Sequence, residues 1–242
     1  RILWRKLQDS MENGSAGNSK IEGAGGENHE KGRMATMNFE KLPDNWKVVR
    51  LGRVAEIHQG KTPKRSDYLD KGKFKILKVR DIEENGSINW DIEEKGFIDE
   101  NLAQSYKNYL VKTGDILFTS SAHSPEHIGK KIAIIKSIPS RFKEIYHVAE
   151  LIRVRTYTYQ LDPLFLFYLL SSEGGYKLIQ DQIQGVHVYP KDLAILPIPL
   201  PPLPEQKRIV EILSLAEDLI KKQKEAIALI DKILMAKFLE MF

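Results

Sequence analysis

Cysteine is absent from the 242 residues. That excludes a disulfide framework, a thiolate nucleophile and any zinc site built on cysteine ligands. It suits a reducing cytoplasm, where we expect the protein to work. Long apolar runs are also missing: the longest, around Leu164 to Leu170, falls far short of the roughly 20 residues that cross a bilayer. No membrane partner is expected. The first residues do not follow the basic start, apolar middle and small-residue cleavage site of a secretory signal. There is no Walker loop, no G-x-S-x-G, no G-x-G-x-x-G and no visible cofactor loop of a methyltransferase. The chain therefore reads as a binder and not as a catalyst. Neither sign of charge dominates, since 37 Lys and Arg stand against 33 Asp and Glu for a net charge of +4. That is compatible with nucleic-acid binding without establishing it.

Glycine and proline are also absent from Glu205 to Phe242, and here the absence is constructive. Pro204 suits a first helical position, where its missing N–H costs nothing. Glu205 beside it favours a helix N-terminus through the macrodipole. Apolar residues then recur at Ile209, Leu213, Ala216, Ile220, Ile227, Ile230, Leu234 and Met241, the alternating four-and-three spacing of a helix that packs along another helix. Gln223 and Lys237 interrupt the seam, as polar residues that fix register do. A second stripe, Leu219, Ala226 and Ile233, widens the apolar face. Such a rod, roughly 55 Å long at ~1.5 Å per residue, comes last and has no later helix to cover it. One reading folds it back on its own domain, but a helix this long overshoots an ordinary domain face. We expect it to pair with a helix of another chain through Ile209, Leu213, Ala216, Ile220, Gln223, Ile227, Ile230 and Leu234.

Upstream, residues 1–37 read as a basic helical end, RILWRKLQDS, and then a Gly-, Asn- and Ser-rich linker. Met34 and Met37 are both possible native starts. Residues 38–201 form the main domain, and 202–242 the helix. Within the domain, strands are expected in Phe74–Ile82, Gly114–Ser121, Lys130–Ser137 and His147–Tyr157. A turn is expected at Asn85–Gly86, and one helix over Leu161–Ile183 begins at Asp162–Pro163. The Pro-rich segment before the terminal helix should be extended and stiff. The fold class is α+β, a twisted mixed sheet followed by a helix that forms an antiparallel coiled coil.

Three polar regions are candidates for contacting DNA. The loop with Lys61, Thr62, Lys64 and Arg65 is basic, and Lys78 and Arg80 are expected on one strand face. Cations there neutralise phosphates, and arginine reads guanine bidentately. Ser120, Ser121 and His123, with Lys130 and Lys131 after them, form a second group; His187, Tyr189 and Lys191 form a third. His123 and His127 are four apart, but Pro125 between them opposes a helical metal pair and no third ligand is evident. A different chemistry is also open: Asp81, Glu93 and Lys95 loosely fit a nuclease pattern in which carboxylates hold Mg²⁺. A scaffold that pairs by its helix and never touches DNA is the third reading.

The ensemble resembles the specificity subunit of Type I restriction–modification enzymes. The resemblance rests on LPDNWKVVRLGRVAEIHQGKTP (Leu42–Pro63), GDILFTSS (Gly114–Ser121) and LPIPLPPLPEQKRIVEIL (Leu196–Leu213) running into the long helix. It implies one target recognition domain followed by one spacer helix. In that family two such halves, their helices antiparallel, read a split double-stranded DNA site. The subunit is not an enzyme and carries no cofactor. It docks methyltransferase (modification) subunits, which hold S-adenosylmethionine, and restriction/translocase subunits, which use ATP and Mg²⁺. With a single recognition domain, this chain is either a half-size subunit that forms a homodimer or a fragment of a longer one.

Overall fold

The computed structural model of the protein describes residues 42–92 and 96–241. The expected leader, as well as Glu93 and Lys95, lies outside the described residues. The strands are β1 (Lys47–Arg50), β2 (Ala55–Gln59), β3 (Phe74–Leu77), β4 (Phe97–Ile98), β5 (Ile116–Thr119), β6 (Ile132–Ile134), β7 (Glu144–His147), β8 (Leu151–Thr156) and β9 (Pro197–Leu200). The α-helices are α1 (Glu100–Ser105), α2 (Pro163–Ser171), α3 (Glu173–Gln180), α4 (Pro190–Ala194) and α5 (Leu203–Met241). The fold is thus mixed α+β, with twisted sheets and a long C-terminal helix.

The centre is a four-stranded antiparallel sheet in the order β2-β8-β5-β6. Its residues alternate between two cores. Ile116, Phe118, Ile132, Ile134, Ile152 and Val154 face α2, α3 and α4. Leu117, Ala133 and Leu151 face the other way, toward the three-stranded sheet β4-β3-β7 and α1. With both faces covered, β5 and β6 need apolar residues on each side, which is why they read as unbroken apolar runs.

Three expected elements are interrupted, each for a local reason. The strand over Phe74–Ile82 ends at Leu77, because the Asp81 carboxylate accepts the Lys78 N–H at 2.8 Å and Val79–Asp81 tightens into a 3₁₀ turn. Lys78 and Arg80 therefore do not share a strand face. The run over His147–Tyr157 starts late: His147 is the last residue of β7, which pairs in parallel with β3, and the expected strand is β8 (Leu151–Thr156), which lies between β2 and β5 in a different sheet. The helix over Leu161–Ile183 begins as expected, with Asp162 accepting the N–H groups of Leu164 and Phe165. It breaks at Ser172, whose hydroxyl donates to the Leu169 carbonyl at 2.6 Å and accepts the Gly175 N–H at 3.0 Å. A Cβ on Gly175 would lie 2.1 Å from the Leu169 carbonyl oxygen, so this corner needs glycine.

The Pro-rich segment is extended, as its composition requires. It forms β9 and pairs antiparallel with β1 in a two-stranded ribbon, an arrangement in which a strand can carry proline. Pro201 and Pro202 then lead into α5. Among the described residues no helix is long and apolar enough to cross a membrane.

Candidate nucleic-acid interface

Strand register places the candidate loops at one end of the central sheet. Gln59, the last residue of β2, lies opposite Ile152 near the start of β8. Leu151 lies opposite Thr119, the last residue of β5, and Phe118 lies opposite Ile132, the first residue of β6. The loops after β2, between β5 and β6, and before β8 therefore emerge together. The 184–191 segment joins them: Ser121 and His187 form an antiparallel bridge, and the Val188 N–H donates to the Ser120 carbonyl at 2.9 Å.

The 121–131 loop, Glu150 before β8 and His187 of the 184–191 segment border an open cleft of about 1340 Å³. Ser121, His123, Lys130, Lys131 and His187 all line it, with His127 beside them. The opposite wall comes from helices: Phe167 and Tyr168 of α2, and Leu213, Ala216, Glu217 and Ile220 of α5. Glu84, Glu150 and Glu217 make the lining mixed in charge.

The 60–65 loop meets this rim through Glu150. Thr62 Oγ1 donates to the Glu150 carboxylate at 2.9 Å and accepts the Ala149 N–H at 3.0 Å. Gly60 makes the close approach possible: its N–H donates to the Leu151 carbonyl, while a Cβ there would fall 2.1 Å from the Val148 carbonyl oxygen. Lys61, Lys64 and Arg65 remain exposed, with the Lys61 ammonium 5.0 Å from the Tyr106 ring centroid. The Lys78 ammonium sits 4.0 Å from the Tyr68 ring centroid. Burial, with Glu150 nearby, pushes the Tyr68 phenol up to about 12, so the ring under Lys78 stays neutral. Tyr189 is exposed, packs beside His187 with centroids 6.1 Å apart, and has the Lys191 ammonium 5.9 Å away.

Several expected site residues serve the fold instead. Ser120 is fully buried, and its hydroxyl donates to the Ala149 carbonyl at 3.3 Å, so no base edge can reach it. Although it lines the cleft, Lys131 donates to the Ile82 and Val79 carbonyls at 2.9 and 3.4 Å, which ties the 79–82 turn to β6. Asp81 is 1% exposed and occupied as a cap, with its carboxyl pushed up by burial, so the nuclease reading is not favoured. At the root of α5, Leu213 is buried and the partly buried Ile209 packs against the domain's own core. Ile220, Ile227, Ile230 and Leu234 are exposed, as are Gln223 and the second-stripe residues Leu219, Ala226 and Ile233.

Sequence reasoning missed Phe167, Tyr168, Glu150 and Glu217 as cleft residues. Phe167 and Tyr168 read as helix core, and nothing local marks the two glutamates. It also missed a largely buried paired-charge cluster around β2 and β8, on the sheet face that carries Leu117 and Leu151. There Arg153 bonds Glu56 at 3.1 Å, and Arg155 grips Asp115 with contacts of 2.7 and 2.8 Å. The β8 alternation Arg153–Val154–Arg155 was the available signal.

Comparison with known proteins decides the family. Residues 43–229 match the Type I restriction modification DNA specificity domain. The chain belongs to this family. A curated relative from Methanocaldococcus jannaschii, the Type I restriction enzyme MjaVIII specificity subunit, is 32% identical over 209 residues, which is 81% of this chain and 47% of the relative. The HsdS subunit of Thermoanaerobacter tengcongensis superposes with a TM-score of 0.53 at 25% identity, covering 76% of this chain and 40% of that one. A chain from a structure of complex assembly in the type I R-M system superposes with a TM-score of 0.58 at 24% identity, over 76% of this chain and 41% of that one. This specificity-domain chain thus spans about half the length of the curated relatives it matches.

Proposed function

We propose that the chain is the DNA-reading half of a type I restriction–modification specificity subunit. It recognises one half of a split site and holds it at a set distance from a second half. The observation that carries this reading is the convergence of the 60–65, 121–130 and 184–191 loops at one end of the central sheet, beside the root of a 39-residue helix. Lys61, Lys64, Arg65, Lys78, Arg80 and Lys130 hold phosphates. Ser121, His123, His187 and Tyr189 meet base edges across the groove, where sequence is read.

The second half is a second copy of this chain, paired antiparallel through α5. Because the domain covers Ile209 and Leu213, the partner helix meets Ile212, Leu215 and Leu219 at the root and Ile227, Ile230 and Leu234 farther out. All six of the latter are exposed apolar residues. A symmetric pair reads a two-fold symmetric, interrupted site. At ~3.4 Å per base pair, a rod of about 58 Å spans at most about seventeen steps. Methylation and cleavage come from partner subunits that carry S-adenosylmethionine, and ATP with Mg²⁺.

The decisive experiment is co-purification with a methyltransferase subunit, followed by sequencing of methylated sites. A split, symmetric site is expected. Methylation at an uninterrupted site, or no stable complex, overturns the reading. Arg65→Ala in that complex should weaken DNA binding and lower its salt dependence, as loss of a phosphate contact does.

A further inference from the structure

The Pro-rich connection into α5 has the look of a hinge, yet the helix root is fixed at two separated points. The first is the Glu205–Gln206 pair. Gln206 has no solvent exposure, and its amide is fully used: Oε1 accepts the Asp162 N–H at 2.8 Å, and Nε2 donates to the Gln160 and Pro201 carbonyls at 2.9 and 2.8 Å. Glu205 accepts the Trp46 indole N–H at 2.9 Å and an Asn45 amide N–H at 3.1 Å. Trp46 directly precedes β1, whose partner β9 is joined to α5 by Pro201 and Pro202 alone, so the ribbon closes on itself around the helix start.

The second point lies eleven residues on, about 16 Å along the axis at ~1.5 Å per residue. There Tyr168 of α2 donates its hydroxyl to Glu217 at 2.9 Å and lies 3.1 Å from the Ser214 hydroxyl. One anchor would allow a swivel, whereas two fix a direction. Tyr168 and Glu217 also line the cleft, so the helix axis and the reading loops share side chains.

We infer that Gln206, Glu205 and Tyr168 are gap-determining residues. They hold α5 at one angle to the reading loops, so the number of base pairs between half-sites is set by this joint as well as by helix length. The inference rests on the split-site reading above. A domain of this size has a radius of gyration of about 15 Å, which puts its loops roughly 20 Å from the joint. A swing of about 10° then carries them about 3.4 Å, one base-pair step. A joint looser than that would accept neighbouring gaps.

The test has two readouts. The chain has no native cysteine, so Lys177→Cys and Lys232→Cys, both at exposed positions, place spin labels on the domain and on the far half of α5. Labelled chain is diluted into unlabelled chain for pulsed EPR. A single narrow distance distribution is expected, broadened by Gln206→Ala, Glu205→Ala and Tyr168→Phe and kept narrow by Glu205→Gln, which retains an acceptor for the Trp46 indole. In the methyltransferase complex, Gln206→Ala and Glu205→Ala should gain methylation at sites one base pair longer or shorter, where the unaltered chain shows none. If Gln206→Ala does not fold, Glu205→Ala and Tyr168→Phe decide.

A broad distribution in the unaltered chain, or narrow ones in all the variants, overturns the joint. Broadened distances with an unchanged gap overturn its role in spacing. If the unaltered complex methylates no split site, the split-site reading fails and the spacing role fails with it, while the distance distributions still report on the joint.

Discussion

The root and the tip of α5 share one helix, one apolar periodicity and, from Glu205 on, one absence of glycine and proline, yet they live in opposite surroundings. At the root, Gln206 and Leu213 are buried against the domain; at the tip, Leu229, Leu234 and Leu239 are each more than half exposed. Exposed apolar surface on that scale marks an interaction face. Periodicity states that a helix needs cover, but not which body supplies it. At the root the cover comes from α2 of the same chain. At the tip none of the described residues supplies it.

Acid should separate the two most strongly. Burial, and then the charge of Arg153, depresses His147 from 6.5 to about 3. In the folded state the ring thus stays neutral while the unfolded chain takes up a proton. Stability from this group is complete above pH 6.5 and falls as pH drops toward 3, by about 1.4 kcal/mol per unit and so about 3 kcal/mol two units down. Thermal unfolding against pH checks it, and His147→Gln should flatten that slope. α5 contains no histidine, so any pairing of its tip should persist down to about pH 5, above the carboxylate range. If both fail together, the contrast is lost.

Gln206→Ala comes next. It leaves the Asp162 N–H and the Gln160 and Pro201 carbonyls without the partners they have now, at a cost of about 2–3 kcal/mol in denaturant unfolding. Leu213→Ala, also at the root, should cost about 2 kcal/mol. Leu234→Ala at the tip should change the unfolding free energy of the unpaired chain by less than about 0.5 kcal/mol. Equal losses at the two positions would show that the tip, too, is covered by its own domain. Smallest in its effect on the domain, and confined to the tip, is the pair Ile227→Glu with Ile230→Glu. It should leave the melting temperature of a dilute sample unchanged while abolishing self-association in sedimentation.

Much of this was legible in sequence because local chemistry decides it. Asp162–Pro163 marked the start of α2, Asn85–Gly86 the turn, the Pro-rich run the extended β9, and Pro204–Glu205 the start of α5. Illegible were the places where distant partners decide. The strand expected through Lys78 and Arg80 is cut short by a side chain, Asp81, that could equally have been a metal ligand. Ser120 reads as a loop hydroxyl until the sheet register buries it. The helix wall of the cleft was invisible because Phe167 and Tyr168 carry the ordinary signature of core residues, and only the packing of α2 against α5 turns one edge of them outward. Gln206 looked like any polar residue in a first helical turn; its three partners lie on segments that precede it by five to 46 residues.

The central sheet is covered on both faces, and the candidate contact loops leave from one of its ends. Amino-acid exchanges at the exposed positions of those loops therefore alter neither hydrophobic core, provided that Gly60, Ser120 and Lys131, and the core residues Ile128 and Val188, keep their positions. The vocabulary of such a reader can drift quickly, by point changes or by grafting whole loops, on a frame that need not be rebuilt each time.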